Sequence, residues 1–163
     1  MPTTNRASSK STLVLTLALG FGLVMSAAAA GKTVLLKNAP GAVQKTIAEQ
    51  LKGGGALHKL SVEVVNGKAT YEAELMNGAT RRDLSIDASG KVLEAETLVE
   101  LSAVPEAARA GLTREAGTGS IAKVEEVIHG GVASYEALVK ETGKKDREVM
   151  VAADGTLVAP KKK

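Results

Sequence analysis

Two nine-residue stretches of this chain are near copies: GKATYEAEL from Gly67 to Leu75, and GVASYEALV from Gly131 to Val139, 64 positions later. They carry the only two tyrosines, Tyr71 and Tyr135. At the same offset Gly55, Lys59, Ala69, Glu72 and Ala73 meet Gly119, Lys123, Ala133, Glu136 and Ala137. With one further residue of offset, Pro40 meets Pro105 and Gly90 meets Gly155. Self-similarity at a fixed period restricts the architecture to one supersecondary unit made twice.

Each copy opens on a helix. In NAPGAVQKTIAEQLKGGG, Pro40 stands at the start, Val43, Ile47 and Leu51 form one stripe by i, i+4, i+8 spacing, and Gly53 is a stop. The second helix starts at Pro105 and stops near Gly117, with a smaller stripe of Val104, Ala108 and Leu112. Strands follow. Leu60, Val62 and Val64 alternate with polar residues, Asn66-Gly67 signals a two-residue hairpin, and Ala69, Tyr71, Ala73 and Leu75 alternate on the return. RRDLSIDASGKVL adds Leu84 and Ile86 before a turn at Gly90, and Val34 to Leu36 offers a short strand ahead of the helix. In the second copy Glu126 takes the inward position that Val62 holds in the first, which a bulge or frame shift near Val127 would repair. The expected fold class is α+β: two repeats, each a helix packed on a three- to four-stranded antiparallel sheet, spanning 31–96 and 97–160. A unit of this size buries only about 60% of its unfolded surface, so the two are expected to pack as one body, through a continuous sheet.

Residues 1–30 stand apart. Arg6 and Lys10 precede the apolar run STLVLTLALGFGLVM and the small-residue run SAAAA, the three-part pattern of a secretory signal peptide. No later run is long and apolar enough to span a bilayer, so no membrane span is expected after cleavage and the location is read as periplasmic or secreted. Without Arg6 and Lys10, the 21 basic residues fall to 19 against 18 acidic, and Phe21 belongs to the signal. Near-neutral charge and a lack of stacking aromatics argue against nucleic acid as a partner. The absence of cysteine removes disulfides, thiolate catalysis and thiolate metal sites. Residues 161–163, all lysine, read as a solubilising basic tail.

The order of helix, hairpin, YE strand and then IDASGKVL or VAADGTLV resembles the PepSY domain, and the doubled form resembles the PepSY-like group related to beta-lactamase-inhibitor folds. The resemblance covers nearly all of the chain after residue 30; Ala152 departs from it, standing where the first copy has Asp87. It implies noncatalytic binding in the periplasm or envelope, with inhibition of a protease or other hydrolase as the specific activity. The partner implied is a protein or peptide of the cell envelope. An envelope ligand- or metal-sensing module and a small hydrolase are the alternative readings.

The residues themselves offer little catalytic chemistry. Gly31-Lys32-Thr33 lacks the earlier glycine of a phosphate loop, because Ser26 occupies that place. His58 and His129 have Ala122 and Val65 as their repeat partners, and no metal-ligand spacing surrounds them. No metal, cofactor or catalytic residue is therefore expected, and the chain is read as not an enzyme. By alternation, Tyr71 and Tyr135 point inward under the helices. The opposite face collects Ser61, Glu63, Thr70, Glu72, Glu74, Arg81 and Asp83, a polar mixed-charge surface that forms the candidate binding face.

Overall fold

The computed structural model describes residues 31–158, so the signal segment 1–30 and the tail 161–163 lie outside the described residues. Strands β1 to β9 span Lys32–Thr33, Ala56–Val65, Lys68–Asn77, Thr80–Asp87, Val92–Leu98, Ser120–His129, Val132–Lys140, Arg147–Ala152 and Leu157–Val158. All nine belong to one sheet whose spatial order is the chain order. Each pair of neighbours is antiparallel. Helix α1, Gly41–Gln50, falls between β1 and β2, and α2, Glu106–Ala116, between β5 and β6.

The continuous sheet expected between the copies is present, but the topology corrects the expected fold class of two repeats, each a helix on a three- to four-stranded sheet: one nine-stranded sheet carries both helices. The overlooked element is β5. The segment LEAETLVELSAVPEA, across the boundary between the copies, supplies most of it, and β5 pairs with β6 from Glu94↔His129 to Leu98↔Glu125. A free edge there would leave a row of backbone N–H and C=O groups open to foreign strands. Pairing β5 with β6 closes that edge and makes a single sheet.

Both helices cover the same face of the sheet. Val43 and Ile47 of α1 are buried against Leu60, Leu75, Leu84 and Ile86 in one apolar cluster. Ala108, Leu112 and Ala116 of α2 are buried against Val124, Tyr135, Val139 and Val151 in a second. The helix stripes predicted from spacing are the ones that pack. Val34 to Leu36 is not a strand; β1 ends at Thr33, and Leu36–Asn38 is a single 3-10 turn. Polar clasps fix α2 further: the Arg147 guanidinium on β8 donates to the Glu115 and Ala116 carbonyls at 2.8 and 3.0 Å, meeting the open C-terminal carbonyls of the helix.

Local turn chemistry follows the sequence. Asn66 and Gly67 both adopt positive φ, 52° and 74°, as a two-residue turn joining twisted strands requires. Asp87 accepts hydrogen bonds from the Ser89 and Lys91 amides, holding the β4–β5 turn, and in the β8–β9 turn Asp154 accepts from the Thr156 amide. The acid missing at Ala152 is thus replaced two residues on.

Glu126 overturns one local expectation. The β6 irregularity lies between Ile121 and Lys123, and Glu126 stays in regular register opposite Tyr135. No bulge turns it outward. The Tyr135 hydroxyl donates to its carboxylate at 3.2 Å, so the inward acid is met by the polar tip of the ring.

Candidate functional site

The face opposite the helices is built by alternation in β2 to β8. Lys59, Ser61 and Glu63 of β2 stand opposite Glu74, Glu72 and Thr70 of β3, and Glu72 and Glu74 stand opposite Ser85 and Asp83 of β4. Ser85 and Asp83 meet Glu94 and Glu96 of β5. Five of the seven residues expected on this face, Ser61, Glu72, Glu74, Arg81 and Asp83, line a concavity of about 250 Å³ with Lys59, Ser85, Glu94 and Glu96. Glu63 and Thr70 share the face but pair nearer the β2–β3 turn, outside that concavity.

Glu72, Glu74, Asp83 and Glu94 have partners. Ser85 Oγ donates to Glu72 at 2.8 Å, and Arg81 holds Asp83 through Nε and Nη2 with Glu74 at 3.6 Å. His129 Nδ1 lies 3.1 Å from Glu94. Further across, Lys123 pairs with Glu125 at 2.8 Å. Glu125 stands directly opposite Glu136, and both are 8% exposed. Like charges placed opposite one another on a sheet destabilise it. Among the described residues, Glu96 and Glu136 have no hydrogen-bond or ion-pair partner within reach.

These two carboxyls bear the electrostatic cost. Burial, then Glu125, Glu94, Glu136 and Asp83, pushes Glu96 up to about 7. Burial, then Glu148 and Glu125, likewise pushes Glu136 up to about 7, against a smaller opposing effect of Lys123. Glu72 is also raised, chiefly by partial desolvation, with the Ser85 hydrogen bond opposing it.

A sign for the pH dependence of stability follows. The unfolded chain releases these protons near the ordinary glutamate value of 4.5, whereas the folded chain keeps them to about 7. Their contribution is fully present below about pH 4.5 and is lost as pH rises through about 7. Asp87, Glu141 and Asp154 are lowered by hydrogen bonds and act with the opposite sign, at pH values below this window. Replacing both Glu96 and Glu136 by glutamine is expected to stabilise the protein at pH 8 by about 1 kcal/mol per group, after allowance for solvent screening. The wild-type melting temperature should fall between about pH 5 and 8, and the double variant should show a flatter profile. A wild-type profile that rises over this range, or an equal slope in the variant, would contradict the assignment.

The sequence-based face stopped at β4. Ser85 continues its parity in β4, Glu94 and Glu96 alternate in β5, and Glu136 is the repeat mate of Glu72, so these positions carried a signal. The burial of Glu125 and Glu136 carried none. Among the described residues no group of three or more His, Cys, Asp or Glu side chains is arranged to hold a metal ion.

No protein-family model and no curated protein sequence matches the chain. Solved structures do. A protein of Bacteroides eggerthii provisionally assigned to the periplasm superposes with a TM-score of 0.61 at 14% identity, covering 74% of this chain and 86% of that one. A DUF2874 family protein from Bacteroides ovatus gives 0.60 at 14% identity, covering 74% and 85%. A BLIP-like protein from Bacteroides fragilis gives 0.58 at 15% identity, covering 76% and 85%. The chain therefore has the fold of these BLIP-like and DUF2874 proteins. Among the described residues no helix is long and apolar enough to cross a membrane.

Proposed function

We propose that this protein is a noncatalytic binding protein of the periplasm or cell envelope, which receives a protein or peptide partner on the helix-free face of its sheet. The observation that carries the reading is the acidic face itself, where carboxylates crowd together and the half-buried Glu96 and the buried Glu136 lack partners among the described residues. An arrangement that costs stability is kept where a ligand gains from it. Inhibition of a protease or other hydrolase is the specific activity we assign to this face. The fold shared with a BLIP-like protein and the PepSY resemblance of the sequence support that choice as analogy.

The test is charge reversal. Glu72→Lys with Glu74→Lys changes two residues that stand on the helix-free face, so the melting temperature should stay within a few degrees of the parent. The variant should lose the main protein that the parent retains from an envelope extract, and with it any inhibition of hydrolase activity in that extract. An unchanged set of retained proteins would remove the function from this face.

A further inference from the structure

From the concavity over β2 to β5, the carboxylates of the helix-free face run on across the sheet as a diagonal trail. Glu72 on β3 and Glu94 on β5 lead to Glu96, then to Glu125 on β6, Glu136 on β7 and Glu148 on β8. Glu96 is opposite Val127, two residues from Glu125, and Glu136 is two residues from Leu138, which is opposite Glu148. Strands lie roughly 4.8 Å apart and residues two apart on a strand roughly 7 Å, so from Glu94 to Glu148 successive steps of this trail are about 5–8 Å. That spacing is close to the roughly 7 Å between alternate side chains of an extended polypeptide.

A second observation singles out the middle of the trail. Glu136 is more than nine-tenths buried, has no partner among the described residues, and sits between Glu125 and Glu148 with its carboxyl among theirs. Leu98, which is 38% exposed, is opposite Glu125, while Met150 is opposite Glu136. Such apolar neighbours suit the methylene stems of lysine and arginine, whose charged heads would reach the carboxylates.

We propose that Glu96, Glu125 and Glu136 form the centre of a docking track for an extended cationic segment of a partner protein, with lysine or arginine at alternate positions. The proposal rests on the binding reading above and specifies the chemistry of the partner. Each cationic side chain would relieve repulsion on Glu96 and Glu136, whereas Glu125 between them already pairs with Lys123. Register, rather than charge alone, distinguishes this partner.

Fluorescence anisotropy with two labelled peptides tests it, one alternating lysine and serine, the other carrying the same number of lysines in one block. At pH 8 and low salt the alternating peptide should bind at least tenfold more tightly than the blocked one, and binding should weaken as salt rises. Glu96→Gln with Glu136→Gln should weaken it at least tenfold again, while Glu49→Gln with Glu106→Gln, on the helices, should leave it unchanged. Thermal melts of both variants establish that they are folded. Equal affinity for the two peptides, or an unchanged affinity in the Glu96/Glu136 variant, overturns the track. If either occurs while Glu72→Lys with Glu74→Lys still abolishes retention of the envelope partner, the binding reading stands and the cationic extended partner alone is wrong.

Discussion

Tyr135→Ala is expected to destabilise the protein by about 3–5 kcal/mol, the range for removing a large aromatic side chain from a core. Tyr135 is 7% exposed and packs with Leu112, Val124, Val139 and Val151 beneath α2. Its loss leaves a cavity and also strands the Glu126 carboxylate, which the hydroxyl meets at 3.2 Å. Tyr135→Phe separates the two effects: it keeps the ring and removes the donor, and should cost about 1 kcal/mol. Tyr71 occupies the equivalent place in the first motif but is only half-buried against the α1 cluster. Tyr71→Ala should therefore cost clearly less than Tyr135→Ala. Denaturant midpoints with slopes checked for two-state unfolding measure all three. Equal losses at the two tyrosines would show that the α1 side depends on its ring as heavily as the α2 side.

Gly155→Ala should be at least as severe, for a different reason. Gly155 has φ +81°, a conformation that disfavours any side chain, and a Cβ there would fall well inside contact distance of the Ala107 carbonyl oxygen at the start of α2. The approach is reciprocal, because a Cβ on Gly111 would lie 2.6 Å from the Gly155 carbonyl oxygen. That same oxygen accepts a hydrogen bond from Arg114 at 3.0 Å. The left-handed conformation alone costs about 1–2 kcal/mol. The backbone clash forces α2 away from the sheet, and we expect a total loss of about 3–5 kcal/mol. Gly143→Ala is the control. Gly143 also has positive φ, +76°, but open space around it, so its substitution should show the conformational cost and little more. Similar losses at Gly143 and Gly155 would mean that strain, not the packing of α2 on the β8–β9 turn, governs the site.

The candidate face was legible as far as local parity could carry it. Alternation placed Ser61, Glu72, Glu74, Arg81 and Asp83 together, and strand pairing unites them around one concavity. Glu63 and Thr70 obey the same parity yet fall outside it, since parity assigns a face and not a position along the strands. The unpartnered Glu96 and Glu136 were not singled out. Whether a carboxyl finds a cation depends on residues one or two strands away, brought alongside only when β5, β6 and β7 assemble.

By itself the sequence determined the local elements. The Val43–Ile47 stripe, the Asn66–Gly67 turn and the alternation of small and apolar residues around each tyrosine are short-range patterns, and each acts within a single helix or hairpin. The tertiary structure decided which strands join the two halves and where charge is buried. Two separate sheets and one nine-stranded sheet place the same residues inward. Only the pairing of Glu94 to Leu98 with Glu125 to His129 distinguishes them, by closing an edge that local pattern leaves open. The same pairing sets Glu96 beside Glu125 and thereby within the field of Glu136, so the acidic trail exists as a consequence of the continuous sheet.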